Sequence, residues 1–125
     1  MTTMVGFRVG DAAYCLPVDV IRGVRTAAAM LPLPEARSGV VGVLPEELPR
    51  TVIAPLGSDG GQILLVETEG IGFGLLVDAV TDLWLIEDDE IRRSPGSGRS
   101  LVAGILDHDG RSILVADPGE LAARL

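Results

Sequence analysis

Cys15 and His108 are the single thiol and single imidazole of this 125-residue chain, and together such groups define a nucleophile and base pair of the hydrolase type. Cys15 lies in Ala13-Tyr14-Cys15-Leu16-Pro17, an apolar strand pattern that favours a buried structural thiol. His108 lies in Leu106-Asp107-His108-Asp109-Gly110, where flanking carboxylates suggest a general base or a metal ligand. Neighbouring side chains in a hairpin diverge, however, so an exposed turn residue is the expectation. One Cys and one His cannot assemble a Cys/His zinc site, and a lone Cys forms no internal disulfide. The acidic run 87–90 (Glu-Asp-Asp-Glu) lacks the alternating spacing of a calcium loop and reads as a solvated connection. Arg92, Arg93 and Arg99 bracket a Gly/Ser segment and read as a patch counterbalancing those acids rather than an anion site. All ten basic residues are Arg, so no phosphate-loop lysine and no Schiff base is available. Gly72-Phe73-Gly74 is too short for a dinucleotide fingerprint. The expectation is a protein with no catalytic, cofactor or metal site.

A net charge of −8 without a basic cluster disfavours phosphate backbones and anionic membrane surfaces as partners. The longest apolar region, 71–86, is interrupted by Asp78, Thr81 and Asp82 and is too short to span a bilayer. The first residues, Met-Thr-Thr-Met, do not have the pattern of a signal peptide. These features point to a cytoplasmic protein with no membrane insertion.

The elements follow from periodicity and turn chemistry. Val5, Phe7 and Val9 alternate as in a half-buried strand, and Gly10-Asp11 turns the chain into a second strand, 12–16. The stretch 18–24 reads as a further strand, with Val18, Val20 and Val24 inward. Pro32 and Pro34 stop regular strand structure, and a helical turn fits after Pro34. Strands are expected over 40–44, 51–56 and 62–67, with loops at 45–49 and 57–61. The stretch 71–86 is too long for one strand and bends near Asp78 or splits in two. Trp84 reads as a core anchor or an interface contact, with Leu83, Leu85 and Ile86 beside it favouring the core. After a loop at 94–100, strands 101–106 and 112–116 flank Asp109-Gly110, a strong hairpin signal. Asp117, Pro118 and Glu120 form a capping sequence for a short C-terminal helix, with Glu120 reaching back to the cap. About ten short strands with frequent turns make an all-β barrel or sandwich in one domain, 1–125.

The order of these segments resembles the CheW-like domain family from Val5 to Leu121. Phe7-Arg8-Val9-Gly10-Asp11 looks like the family's opening strand and turn, and 14–21 (YCLPVDVI) like its second strand. Arg22-Gly23-Val24 falls at an R-E-V type sequence, and Leu31-Pro32-Leu33-Pro34 matches a proline-bearing link followed by Gly42-Val43-Leu44. The most specific stretch, 74–80 (GLLVDAV), is similar to a G-L-L-V-D-x-V signature. The resemblance implies two intertwined five-stranded SH3-like barrels with a short C-terminal helix. It implies a non-enzymatic adaptor in chemotaxis signal transduction, binding the regulatory domain of a CheA-type histidine kinase and the cytoplasmic tip of a chemoreceptor. On the receptor-side groove it places Ile21, Gly23, Val24, Gly42, Glu47, Val77 and Val80.

Two departures stand out. The acid of the R-E-V type sequence is replaced by Gly23, and the family's usual Arg-Gly pair is replaced by Glu47-Leu48. Such a charge change at an interface alters which partner is accepted. It leaves open a divergent receptor with a complementary base, binding to the kinase alone, or service in another assembly. A self-associating barrel and a small hydrolase using Cys15 and His108 are the competing readings.

Overall fold

A computed structural model of the chain describes residues 1–34, 39–93 and 100–125. Twelve strands and one α-helix follow in order: β1 (Thr2–Val9), β2 (Ala12–Pro17), β3 (Ile21–Thr26), β4 (Leu31–Pro32), β5 (Val40–Leu44), β6 (Arg50–Ile53), β7 (Gln62–Thr68), β8 (Ile71–Val77), β9 (Ala79–Ile86), β10 (Ile91–Arg93), β11 (Val102–His108), β12 (Arg111–Ala116) and α1 (Pro118–Ala122). They form two curled sheets, ordered β10-β11-β12-β2-β1-β9 and β3-β7-β8-β6-β5-β4. The architecture is the expected pair of intertwined SH3-like barrels. Each sheet carries six strands rather than five because the short β4 and β10 add to the edges. The second lobe is built from the middle of the chain and the first from both flanks.

Three clusters of buried side chains explain the apolar runs. One lies between the lobes and joins Val5, Phe7 and Leu16 of the first sheet to Leu64, Val66, Phe73, Leu75 and Val77 of the second, with Leu121 of α1. A second fills the first lobe, with Met4, Cys15, Ile86, Leu106 and Ile113. A third fills the second lobe, with Leu44, Val52, Ile63, Leu65 and Leu76. Central strands are therefore covered on both faces, so β7 and β8 read as continuous apolar runs rather than alternation. Phe7 stacks on Tyr14 with centroids 5.6 Å apart.

The hairpin turns behave as their residues dictate. Asp109 and Gly110 take φ of +51° and +76°, as do Glu69 and Gly70 at +50° and +79°. Both central residues are left-handed, which matches the twist of the flanking strands. The stretch 71–86 breaks at Asp78 into β8 and β9, which belong to different sheets.

Several expectations are corrected. Residues 18–24 are not one strand: Pro17 starts a 3-10 turn over Val18–Val20, closed by the Ile21 amide donating to the Val18 carbonyl. Val18 and Val24 are exposed rather than inward, whereas Val20 packs on the shared core. The strand expected over 51–56 ends at Ile53, since Pro55 has no N–H and Gly57 donates to the Ala54 carbonyl in a turn. Pro32 does enter a strand, but β4 is a two-residue edge strand, where a missing donor is tolerated. Asp117 caps α1 by accepting from Gly119 and Glu120. Its own amide donates to the Leu101 carbonyl at 2.8 Å, so the Glu120 half of the cap is replaced. The helical turn after Pro34 and most of the 94–100 loop lie outside the described residues. Among the described residues no helix is long and apolar enough to cross a membrane.

Candidate partner-binding site

The residues with nucleophilic potential do not assemble. Cys15 is buried in the first-lobe core, and desolvation pushes its thiol up to about 12, so it is protonated at neutral pH. The His108 ring lies 5.8 Å from the Trp84 ring, and its Nε2 is 3.5 Å from the neighbouring Asp109 carboxylate. Among the described residues no hydrogen bond joins Cys15 to His108, and no group of three or more His, Cys, Asp or Glu is placed to hold a metal ion.

The seam between the lobes is fixed by Asp78. Its carboxylate accepts from the Ser58 hydroxyl and from the Gly10 amide, each at 2.7 Å, and its own amide donates to the Arg8 carbonyl at 2.9 Å. The hydrogen bonds from Ser58 and Gly10, helped by Arg8, hold its carboxyl below the usual carboxylate range. Two residues on, the Val80 amide donates to the Gln62 side-chain oxygen at 2.7 Å. The acidic residue of the 74–80 signature is thus a clip holding the two barrels together.

The groove residues expected from the family resemblance fall into three groups. Ile21 and Val80 are half-buried against the shared core, from β3 and β9 respectively. Val77 is fully buried in that core, so its side chain offers no surface to a partner. Gly42 is also buried: a Cβ there would sit 2.6 Å from the Leu31 carbonyl oxygen, so close strand approach, not recognition, requires the glycine. Val24 is exposed on the edge strand β3. Gly23 lies at a bulge in β3, and Glu47 is exposed in the β5–β6 loop.

The largest exposed apolar pair within a strand is Leu83 and Leu85 of β9, at 70% and 59% exposure. Val5 pairs directly with Leu83, and Thr3 with Leu85, so these residues share one face of the sheet. Val5 belongs to the shared core. The face that the second lobe covers at Val5 therefore continues uncovered along β9, an edge strand. Val24 repeats the arrangement in the second lobe, pairing with Leu64 of the shared core from the edge strand β3. The sequence reading used Leu83 and Leu85 only as neighbours favouring a core place for Trp84 and did not single them out as exposed. Strict alternation decides the matter: Trp84 and Ile86 face the first-lobe interior, where both pack, and the leucines face the other way. Trp84 itself is half-buried and lies over Gly6, where a Cβ would come within 2.5 Å of its ring.

Comparison with known proteins agrees with this two-lobed design. The family model described as CheW-like domain matches residues 46–125. The chemotaxis protein CheW of Rhizobium meliloti (strain 1021) is 29% identical over 91% of this chain and 83% of its own length. The probable chemotaxis protein CheW of Rhizobium etli is 30% identical with the same coverage of both chains. The chain belongs to the CheW-like domain family. The crystal structure of scaffolding protein TtCheW from Thermoanaerobacter tengcongensis shares the fold, with a TM-score of 0.80 and 23% identity over 93% of this chain and 84% of that one.

Proposed function

We propose that this protein is a cytoplasmic, non-enzymatic adaptor that couples chemoreceptors to a CheA-type histidine kinase. The observation that carries the reading is the uncovered continuation of the inter-lobe core along two edge strands, Leu83 and Leu85 on β9 and Val24 on β3. Apolar surface next to a seam, on a member of this family, is suited to protein docking. Ile21 and Val80 form the inner wall of the receptor-side groove, and Val24, Leu83 and Leu85 form its rims. Val77 packs in the core behind that wall, Gly42 lies against β4, Gly23 sits on β3 beside Val24, and Glu47 is in the β5–β6 loop. A protonated, buried Cys15 thiol supports a binding role over a nucleophilic one.

Calorimetry of the purified protein against the regulatory domain of a CheA-type kinase and against a chemoreceptor cytoplasmic-tip fragment, both from the same genome, tests the proposal. Complexes with dissociation constants of tens of micromolar or tighter are expected, on the order of −6 kcal/mol or stronger. Heat signals absent for both partners at such concentrations would overturn it.

A further inference from the structure

The inward face of the first barrel changes chemistry along its length. Gly6 of β1 pairs with Cys15 of β2 and with Asp82 of β9, and Arg8 of β1 pairs with Ala13 of β2. Paired residues share a face of the sheet, and so do residues two apart on one strand. Cys15, Trp84 and Ile113 pack in the first-lobe core. Two positions further toward one end, the same inward rows finish in Ala13 on β2, Asp82 on β9 and Arg111 on β12, with Arg8 following Gly6 on β1. Four adjacent strands thus carry an apolar interior that becomes charged at its rim. Arg8, Ala13, Asp82 and Arg111, together with Asp11 from the β1–β2 turn, line a hollow of about 380 Å³ at this mouth. Barrel mouths of this size, from about 300 Å³ upward, are common sites for small ligands.

The charges at the mouth are not used up within the fold. Arg8, Asp11, Asp82 and Arg111 are all exposed, and among the described residues no ion pair or hydrogen bond engages their side chains. Arg8 acts on Asp78 at the seam through its charge alone. Two guanidiniums and two carboxylates make the mouth neutral, although the chain carries a net charge of −8. A simple anion here meets Asp11 and Asp82, and a simple cation meets Arg8 and Arg111. A small molecule carrying both signs satisfies all four groups.

We propose that the mouth of the first barrel binds small zwitterions of the free α-amino acid class, with the carboxylate held by Arg8 and Arg111, the ammonium by Asp11 and Asp82, and the side chain resting over Ala13. Guanidinium–carboxylate contacts are charge-assisted and directional, so they fix the orientation of the ligand. The site is separate from Leu83 and Leu85, which leave β9 on its opposite face. It gives this fold a small-molecule input that does not depend on the receptor-coupling reading.

The test is a nitrogen-15 NMR titration of the full chain with L-leucine and L-serine, up to tens of millimolar. Each is compared with its amide, which keeps only the ammonium, and with its deamino acid, which keeps only the carboxylate. Saturable shifts at the Ala13, Asp82 and Arg111 amides are expected with at least one amino acid, and tenfold or weaker binding with both of its single-charge analogues. Arg111→Gln and Asp82→Asn each weaken binding tenfold or more with unchanged thermal midpoints. These two are the informative variants, since Arg8 also serves the Asp78 clip. The proposal is overturned if neither amino acid shifts these amides, if a single-charge analogue binds as well as its parent, or if both variants bind like the native protein.

Discussion

The Ser58 hydroxyl donates to Asp78 Oδ1 across the seam between the two barrels, at 2.7 Å. Ser58 comes from the β6–β7 connection of the second lobe, and Asp78 stands where the chain leaves β8 for β9 and changes sheets. The Gly10 amide, from the first hairpin of the other lobe, donates to the second oxygen of the same carboxylate. One ionised side chain therefore ties the lobes at the point where the backbone crosses between them.

Asp78→Asn is expected to lower the thermal midpoint at neutral pH, because an amide cannot accept from both donors as a carboxylate does. The folded carboxyl titrates below its ordinary value of 3.8, so the native state holds this proton less readily than the unfolded chain. Its stabilising effect is fully present above the unfolded value and is lost as pH falls through the folded one. Circular dichroism melts from pH 7 to pH 2.5 check this: the gap between native and variant midpoints narrows toward the acid end. A constant gap would remove the carboxylate from the explanation.

Gly6→Ala is expected to cost about 1–3 kcal/mol, because the new methyl meets the Trp84 ring and a packed lobe accommodates extra volume poorly. The built Cβ lies 2.5 Å from the ring edge. Urea unfolding measures the loss, and the emission of Trp84, the single tryptophan, reports its displacement toward water.

Cys15 should be inert to a thiol reagent such as dithionitrobenzoate at pH 8 while the protein is folded. A pKa raised to about 12 leaves roughly one thiol in ten thousand ionised at that pH, and burial blocks access as well. The reaction rate should follow the unfolded fraction as urea is added. Fast modification of the native protein at a rate independent of urea would contradict the buried placement.

Leu83→Ser with Leu85→Ser should leave stability within about 0.5 kcal/mol per site, as expected for exposed positions. The same pair should weaken the receptor-tip or kinase complex by about 1–2 kcal/mol, the scale of an interface anchor. Unfolding curves and calorimetry on the same samples separate the two effects. A large loss of stability with unaltered binding would return these leucines to the core.

Much of the barrel architecture was legible because its signals are local. The break at Asp78, the Asp109-Gly110 turn and the Asp117 cap depend on a few adjacent residues and stand where sequence reasoning put them. Two features were not legible because they depend on what covers a face, and a third because it joins distant positions. Leu83 and Leu85 have the composition of core residues, and their exposure follows from β9 lying at a sheet edge beyond the reach of the second lobe. Val77 was placed on a groove surface, yet β8 is covered on both faces and buries it. The pairing of Arg25 with Glu46 spans 21 positions of sequence, and no spacing rule marks it.

The first sheet closes by parallel pairing of β12 with β2, bringing Leu114 beside Tyr14 and Val115 beside Cys15. During synthesis Cys15 therefore stays without its β12 neighbour until residues 111–116 have emerged, long after β2 itself. The central strands of the other barrel are complete by Val77 and can assemble much earlier. Distant closure of this kind slows folding, and it makes the nascent N-terminal hairpin the stage at which aggregation competes with maturation.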